Sequence, residues 1–211
     1  MADSDSEVSP MFGILTEFTR LLSYRFKMNV PTCEDCIRYT FFYVMTTQGK
    51  VQPHQVVLES PHPDIHRAQI DTIISDFAGK CWAIEFKYHR KAPSAGSATP
   101  HSQNAGEIFS DISRLAAYQC ERETERLLIY VADSVMAGYF RNQRNGFIPL
   151  LDLQDGQRFS IDGAFIGKQC KTFQKTVGKK FEAEITCLFS AIVQGCELRV
   201  YNVLPHKRSV Q

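Results

Sequence analysis

Two apolar, strand-like runs that each carry charge in their interior constrain this chain more than any other feature. The first reads Gln69-Ile70-Asp71-Thr72-Ile73-Ile74 and the second Cys81-Trp82-Ala83-Ile84-Glu85-Phe86-Lys87, with Asp76-Phe77-Ala78-Gly79 between them. Runs rich in Ile, Phe and Trp on either side of a short turn signal predict a β-hairpin across 71–87. An ionised group held away from water without a partner is strongly unfavourable. Asp71, Glu85 and Lys87 therefore need one another, or a ligand.

The turn decides whether they meet. If Phe77-Ala78-Gly79 is a three-residue loop with Gly79 left-handed, Asp76 pairs with Lys80. Asp71 then falls opposite Glu85, and Gln69 opposite Lys87. Opposite residues share a face, as do residues two apart on one strand. Asp71, Glu85 and Lys87 then share one face. A two-residue turn shifts the register and sends Asp71 to the other face. Facing carboxylates repel, and a hard divalent cation such as Mg²⁺ relieves that repulsion through oxygen ligands. The ion polarises a phosphate and makes a bound water nucleophilic at neutral pH. Lys87 would position that water or screen charge in the transition state, with an amine pKa that the site could depress.

Elsewhere, Met11, Ile14, Leu15, Phe18, Leu21, Leu22 and Phe26 recur at helical spacing after an acidic, polar start, so residues 1–10 read as a disordered tail and 11–27 as a helix. A second helix is expected from a Thr32 cap, with a stripe of Cys33, Cys36, Ile37, Thr40, Phe41 and Val44; the aromatic run 39–44 also suits a strand. Gln55–Leu58 is a short strand candidate. Residues 92–105 are small, polar and Pro-containing, the pattern of a mobile loop. Gly106 to about Glu125 reads as a helix with Ile108, Ile112, Leu115, Ala116 and Gln119 on one face. Leu127–Ala132 is a continuous apolar run, as in a strand buried on both faces. Residues 134–142 read as a short helix, 143–180 show no dominant period, and 181–193 and 198–204 read as terminal elements, the last a strand. This order predicts an α/β fold, a mixed central β-sheet flanked by helices, in a single domain over 11–211 with its core at about 55–132.

Asp71, a hairpin, and then Glu85-Phe86-Lys87 resemble the PD-(D/E)xK nuclease superfamily, whose restriction-endonuclease-like core has this order of elements. The likeness also takes in Leu58-Glu59-Ser60-Pro61, Arg67 and Tyr88, and more weakly Glu34-Asp35-Cys36-Ile37-Arg38-Tyr39 and Asp111-Ile112-Ser113-Arg114-Leu115. The proline that precedes the aspartate in that motif is Ile70 here; the literal Pro63-Asp64 lies in a His- and Pro-rich turn. The resemblance implies Mg²⁺-dependent phosphodiester cleavage (Mn²⁺ can substitute), on nucleic acid and DNA first, by an endonuclease rather than an exonuclease. Asp71, Glu85 and the Phe86 carbonyl would hold the metal and Lys87 would be catalytic. Of two further acidic candidates, Glu34 and Glu59, Glu59 is preferred because it ends the strand before the hairpin. A catalytically inactive nucleic-acid- or protein-binding module on the same fold is the alternative.

A net charge of +1 argues against bulk-charge binding. Local basic residues, namely Arg67, Arg90, Lys91, Arg141, Arg144 and the Lys168–Lys180 set including Lys171 and Lys175, are candidates for phosphate contact. A homodimer would supply two sites for two strands. Seven cysteines at irregular spacings, no leader-like start and no membrane-length apolar run point to an intracellular protein with reduced thiols, cytoplasmic if bacterial. Cys33-x-x-Cys36 is a weak metal or redox signal, even with His62-x-x-x-His66, and buried packing of both thiols is expected instead. Asp111 and Arg114, three apart on a helix, are expected to pair with each other on the surface or instead to orient a site residue.

Overall fold

The computed structural model describes residues 10–89 and 100–205. Its elements are α1 (Pro10–Lys27), α2 (Glu34–Thr47), β1 (Val56–Pro61), β2 (Gln69–Phe77), β3 (Lys80–His89), α3 (His101–Ala117), β4 (Thr124–Ala132), α4 (Ser134–Arg141), α5 (Ile148–Asp152), β5 (Arg158–Ile161), α6 (Gly163–Gly167), α7 (Lys171–Val177), β6 (Ala183–Val193) and β7 (Cys196–Pro205). The strands form one seven-stranded mixed sheet in the order β1-β2-β3-β4-β7-β6-β5. Among the described residues only β3 and β4 are parallel. A parallel pair needs a crossover, and α3 supplies it. The α/β class expected from the sequence is what forms.

The apolar run of β4 alternates between two cores. Leu127, Ile129 and Val131 join the cluster under α1 and α2, with Phe18, Phe41, Phe86 and Val200. Leu128, Tyr130 and Ala132 join the cluster under α3 and α7, with Phe109, Phe140, Phe147 and Phe173. No helix among the described residues is long and apolar enough to cross a membrane.

The hairpin reaches the expected register by an unexpected route. Phe77 pairs with Lys80, so the turn is the two-residue one, with Ala78 (φ 53°) and Gly79 (φ 76°) both left-handed. The ladder shifts between Ile74 and Phe77, where Asp76 adopts φ 66°. This bulge adds one residue to β2 and cancels the shorter loop. Gln55 Nε2 donates to the Ser75 and Asp76 carbonyls at 3.1 and 3.0 Å, which satisfies the displaced backbone. Beyond it, Thr72 pairs with Ile84, Ile73 with Ala83 and Ile74 with Trp82. Continuing that register by one residue sets Asp71 opposite Glu85.

Several boundaries differ from the sequence reading. Residues 39–44 are helical, because Phe41 and Val44 bury beside Ile37 at helical spacing. Thr32 does not cap α2; its hydroxyl donates to Val30 O, and Cys33 is the N-cap. Helix α1 begins one residue earlier, at Pro10, and residues 1–9 lie outside the described residues. Most of the expected loop 92–105 also lies outside them, but 101–105 belong to α3. Ala105 is wholly buried there, and tertiary packing overrides weak local propensity. The helix stops at Ala117, since Tyr118 turns to extended backbone (ψ 130°), and Gln119 is exposed beyond its end. The aperiodic region 143–180 resolves into short pieces, α5, β5, α6 and α7, each too brief to show a period.

Candidate active site

At the C-terminal half of β3, α2 approaches from one side of the sheet and α3 from the other. Ile73 and Ala83 face the α3 core, so alternation places Asp71, Glu85 and Lys87 on that side, while Phe86 packs edge-to-face on Phe41 of α2. The Asp71 carboxylate lies close against β3: its Oδ2 accepts the Phe86 backbone N–H at 2.8 Å. Its Oδ1 pairs with Arg38 Nη2 at 3.2 Å.

Glu85 is 1% exposed, and its Oε1 accepts from Arg114 Nε at 2.9 Å. The same guanidinium gives Nη2 to Asp111 Oδ1 at 2.6 Å. Arg114 therefore bridges two buried carboxylates that its own helix and β3 bring together. The outer oxygen of Asp111, Oδ2, has no hydrogen bond and lies 3.5 Å from Lys87 Nζ. Lys87 Nζ is also 3.5 Å from Glu34 Oε2, which accepts the Tyr88 backbone N–H at 3.1 Å. The α3 terminus is tied down by His62. Its Nδ1 accepts the Asp64 and Ile65 N–H groups at 3.0 and 3.1 Å, so Nε2 carries the proton and donates to Arg114 O at 3.0 Å.

Burial governs the electrostatics. Desolvation, reinforced by Asp111, pushes Glu85 well above the usual carboxylate range, against the pull of Arg114. Desolvation likewise raises Asp111 to about 6, although Lys87 and Arg114 favour its ionised form. Burial alone would lower Lys87, but Asp111, Glu34, Glu107 and Asp71 outweigh it and raise the amine above its ordinary range. The depressed lysine contemplated from sequence is therefore not formed: this amine stays cationic.

The structure thus brings Asp71, Glu85, Phe86 and Lys87 together. Of the two further acidic candidates, Glu34 is the one that touches Lys87. Glu59, at left-handed backbone (φ 51°), is half exposed and pairs with Arg38, one residue removed from Asp71. Arg38 itself, buried in α2, was given no role by the sequence reading; the signal was a basic residue four positions after Glu34, beside the apolar stripe. Asp111 and Arg114 pair with each other, but in the interior rather than on the expected surface, because Asp111 is buried, and Arg114 also holds Glu85.

Arg67 is exposed at φ 61°, on an open pocket of about 710 Å³ lined by Pro61–Gln69. Lys171 and Lys175 are exposed on α7, whose Phe173 carbonyl and Thr176 abut Gly106 of α3. Arg141 is committed to Asp152 (2.9 Å) and Glu197, so it is not free for phosphate. Arg90 and Lys91 lie outside the described residues.

Among the described residues no three or more His, Cys, Asp or Glu side chains group as a metal cage. His62, with both ring nitrogens engaged, joins no zinc site with Cys33 and Cys36. Contrary to the expected buried packing, Cys33 is exposed and Cys36 only partly covered. No protein-family model, curated protein or solved structure matches the chain.

Proposed function

We propose that the chain is a Mg²⁺-dependent nuclease of PD-(D/E)xK type that hydrolyses phosphodiester bonds of nucleic acid, with DNA as substrate and internal cleavage as its mode. The observation that carries this reading is the convergence of Asp71, Glu85 and Lys87 at one end of the hairpin, with Glu34 and Asp111 flanking the lysine.

The donor set suits a hard cation. Acidic groups (Glu34, Glu59, Asp71, Glu85, Asp111) outnumber the basic ones (Arg38, Lys87, Arg114), and Asp111 Oδ2 is a buried oxygen without a hydrogen bond. Mg²⁺ commonly takes one or two protein carboxylates and fills its remaining positions with water and phosphate, so Asp71 and Glu85, with the Phe86 carbonyl, suffice. When bound, the ion supplies Lewis-acid polarisation of the phosphate and a more acidic water. The protein's own groups do the rest. Arg114 holds Glu85 in place, and the Phe86 N–H fixes Asp71. Lys87, kept cationic by its acidic neighbours, orients a water or stabilises charge developing on the phosphate; a protonated amine does not serve as the general base. A second copy of the chain would supply the site for the opposite strand.

Purified protein incubated with supercoiled plasmid and Mg²⁺ tests this. Cleavage is expected, lost on Asp71→Asn and reduced roughly 10²–10³-fold on Lys87→Met, the usual effect of removing a group that stabilises transition-state charge. Both variants should keep wild-type circular dichroism. One observation favours a binding module instead: Asp71 and Glu85 each already have an arginine partner, Arg38 and Arg114. Nucleic-acid binding without cleavage across several divalent metals and substrate forms would establish that second reading and overturn the first.

A further inference from the structure

We propose that Cys33 and Cys36 form a redox-active dithiol, oxidised by small-molecule disulfides to an intramolecular disulfide at the N-terminus of α2. Their sulfur atoms lie 3.4 Å apart. Cys33 is the N-cap of the helix in extended conformation (φ −119°, ψ 178°), and Cys36 sits one turn in, so the spacing turns both side chains to the same edge. Neither thiol is sealed in the core: Cys33 is exposed and Cys36 partly covered. Arg25 pins the connection before the helix, its Nη2 donating to Pro31 O at 2.8 Å and its Nε to Thr32 Oγ1 at 3.1 Å, and this brings a positive charge beside the pair.

The two sulfurs divide the chemistry. A backbone hydrogen bond from Cys33 lowers the Cys36 thiol, with help from the Cys33 side chain and Arg25 and against burial and Asp35. An accessible thiolate at a helix N-terminus beside a cation is the reactive form of cysteine. In the first step the Cys36 thiolate attacks one sulfur of a disulfide such as oxidised glutathione, forms a mixed disulfide and expels one glutathione thiolate. The Cys33 thiolate then attacks Cys36 Sγ and expels the second. Two thiols are oxidised, one small disulfide is reduced to two thiols, and the two protons go to solvent or the leaving thiolates. Another neighbouring pair, Cys81 and Cys120, does not meet the same conditions, because Cys81 is buried and its thiol is pushed up to about 12. Glu34, the partner of Lys87, lies between the two reactive cysteines, so the disulfide would close one residue away from the acidic cluster.

The test uses the full reduced chain, incubated with oxidised glutathione at neutral pH, quenched with N-ethylmaleimide and mapped by peptide mass spectrometry. The Cys33–Cys36 peptide is expected as an internal disulfide, forming roughly tenfold faster than exposed Cys170 acquires glutathione. Cys33→Ser is expected to trap a stable glutathione adduct on Cys36. The wild-type measurement needs no variant, so misfolding of the serine form leaves the test intact. Alkylation of both thiols at the Cys170 rate, or glutathione on both sulfurs without ring closure, would overturn the proposal.

Discussion

Replacing Arg114 by Met removes the one guanidinium that bridges Glu85 and Asp111 while keeping most of the side chain's apolar bulk. Two charge-assisted hydrogen bonds are lost, at 2.9 and 2.6 Å, and two carboxylates that are 1% and 4% exposed lose that partner. Bonds to charged groups contribute about 1.5–3 kcal/mol each. Removing one partner of a buried pair typically costs about 3–5 kcal/mol. Arg114 is itself a quarter exposed, so water can partly replace it, and the expected loss sits at the low end, about 3 kcal/mol. For a chain of this size that lowers Tm by roughly 6–12 °C. Urea unfolding with a shared m-value gives the number directly. Adding Glu85→Gln should return part of it, since the second change removes the buried carboxyl that Arg114 no longer partners; a coupling of about 0.5–3 kcal/mol is the range for contacting residues. A loss below about 1 kcal/mol for Arg114→Met would refute the assignment of Arg114 as the electrostatic keystone of the site.

Asp111, ordinarily near 3.8, is raised to about 6 in the folded chain, so the folded state keeps its proton after the unfolded state has lost it. Its contribution to stability is therefore present below about 4 and lost as pH rises through 6. Urea midpoints of Asp111→Asn should gain on the wild type across that window, and parallel curves would contradict it. A Cβ on Gly106 would meet Thr176 Cβ at 2.7 Å and the Phe173 carbonyl at 3.1 Å, so Gly106→Ala should push α7 off α3 and destabilise by about 1–3 kcal/mol in the same assay. In plasmid cleavage, Glu34→Gln should cost more activity than Glu59→Gln, because Glu34 touches Lys87 and Glu59 reaches only Arg38; equal effects would sink that ranking.

What the sequence determined by itself was set by local physics. Apolar spacing fixed α1, the continuous run of β4 declared a strand buried on both faces, and charges inside two apolar runs marked Asp71, Glu85 and Lys87 as groups needing partners. The tertiary structure decided what those partners are. Arg38 and Glu34 come from α2, Asp111 and Arg114 from α3, and residue spacing along the chain says nothing about which helix face arrives over which strand. The hairpin register shows the same division: the expected pairing holds only because the bulge at Asp76 cancels the shorter turn, a compensation supported by hydrogen bonds from the Gln55 side chain to the bulge carbonyls. The Lys87 amine, too, takes its charge state from four carboxylates scattered across the sequence, since electrostatic neighbours are a property of the packed molecule.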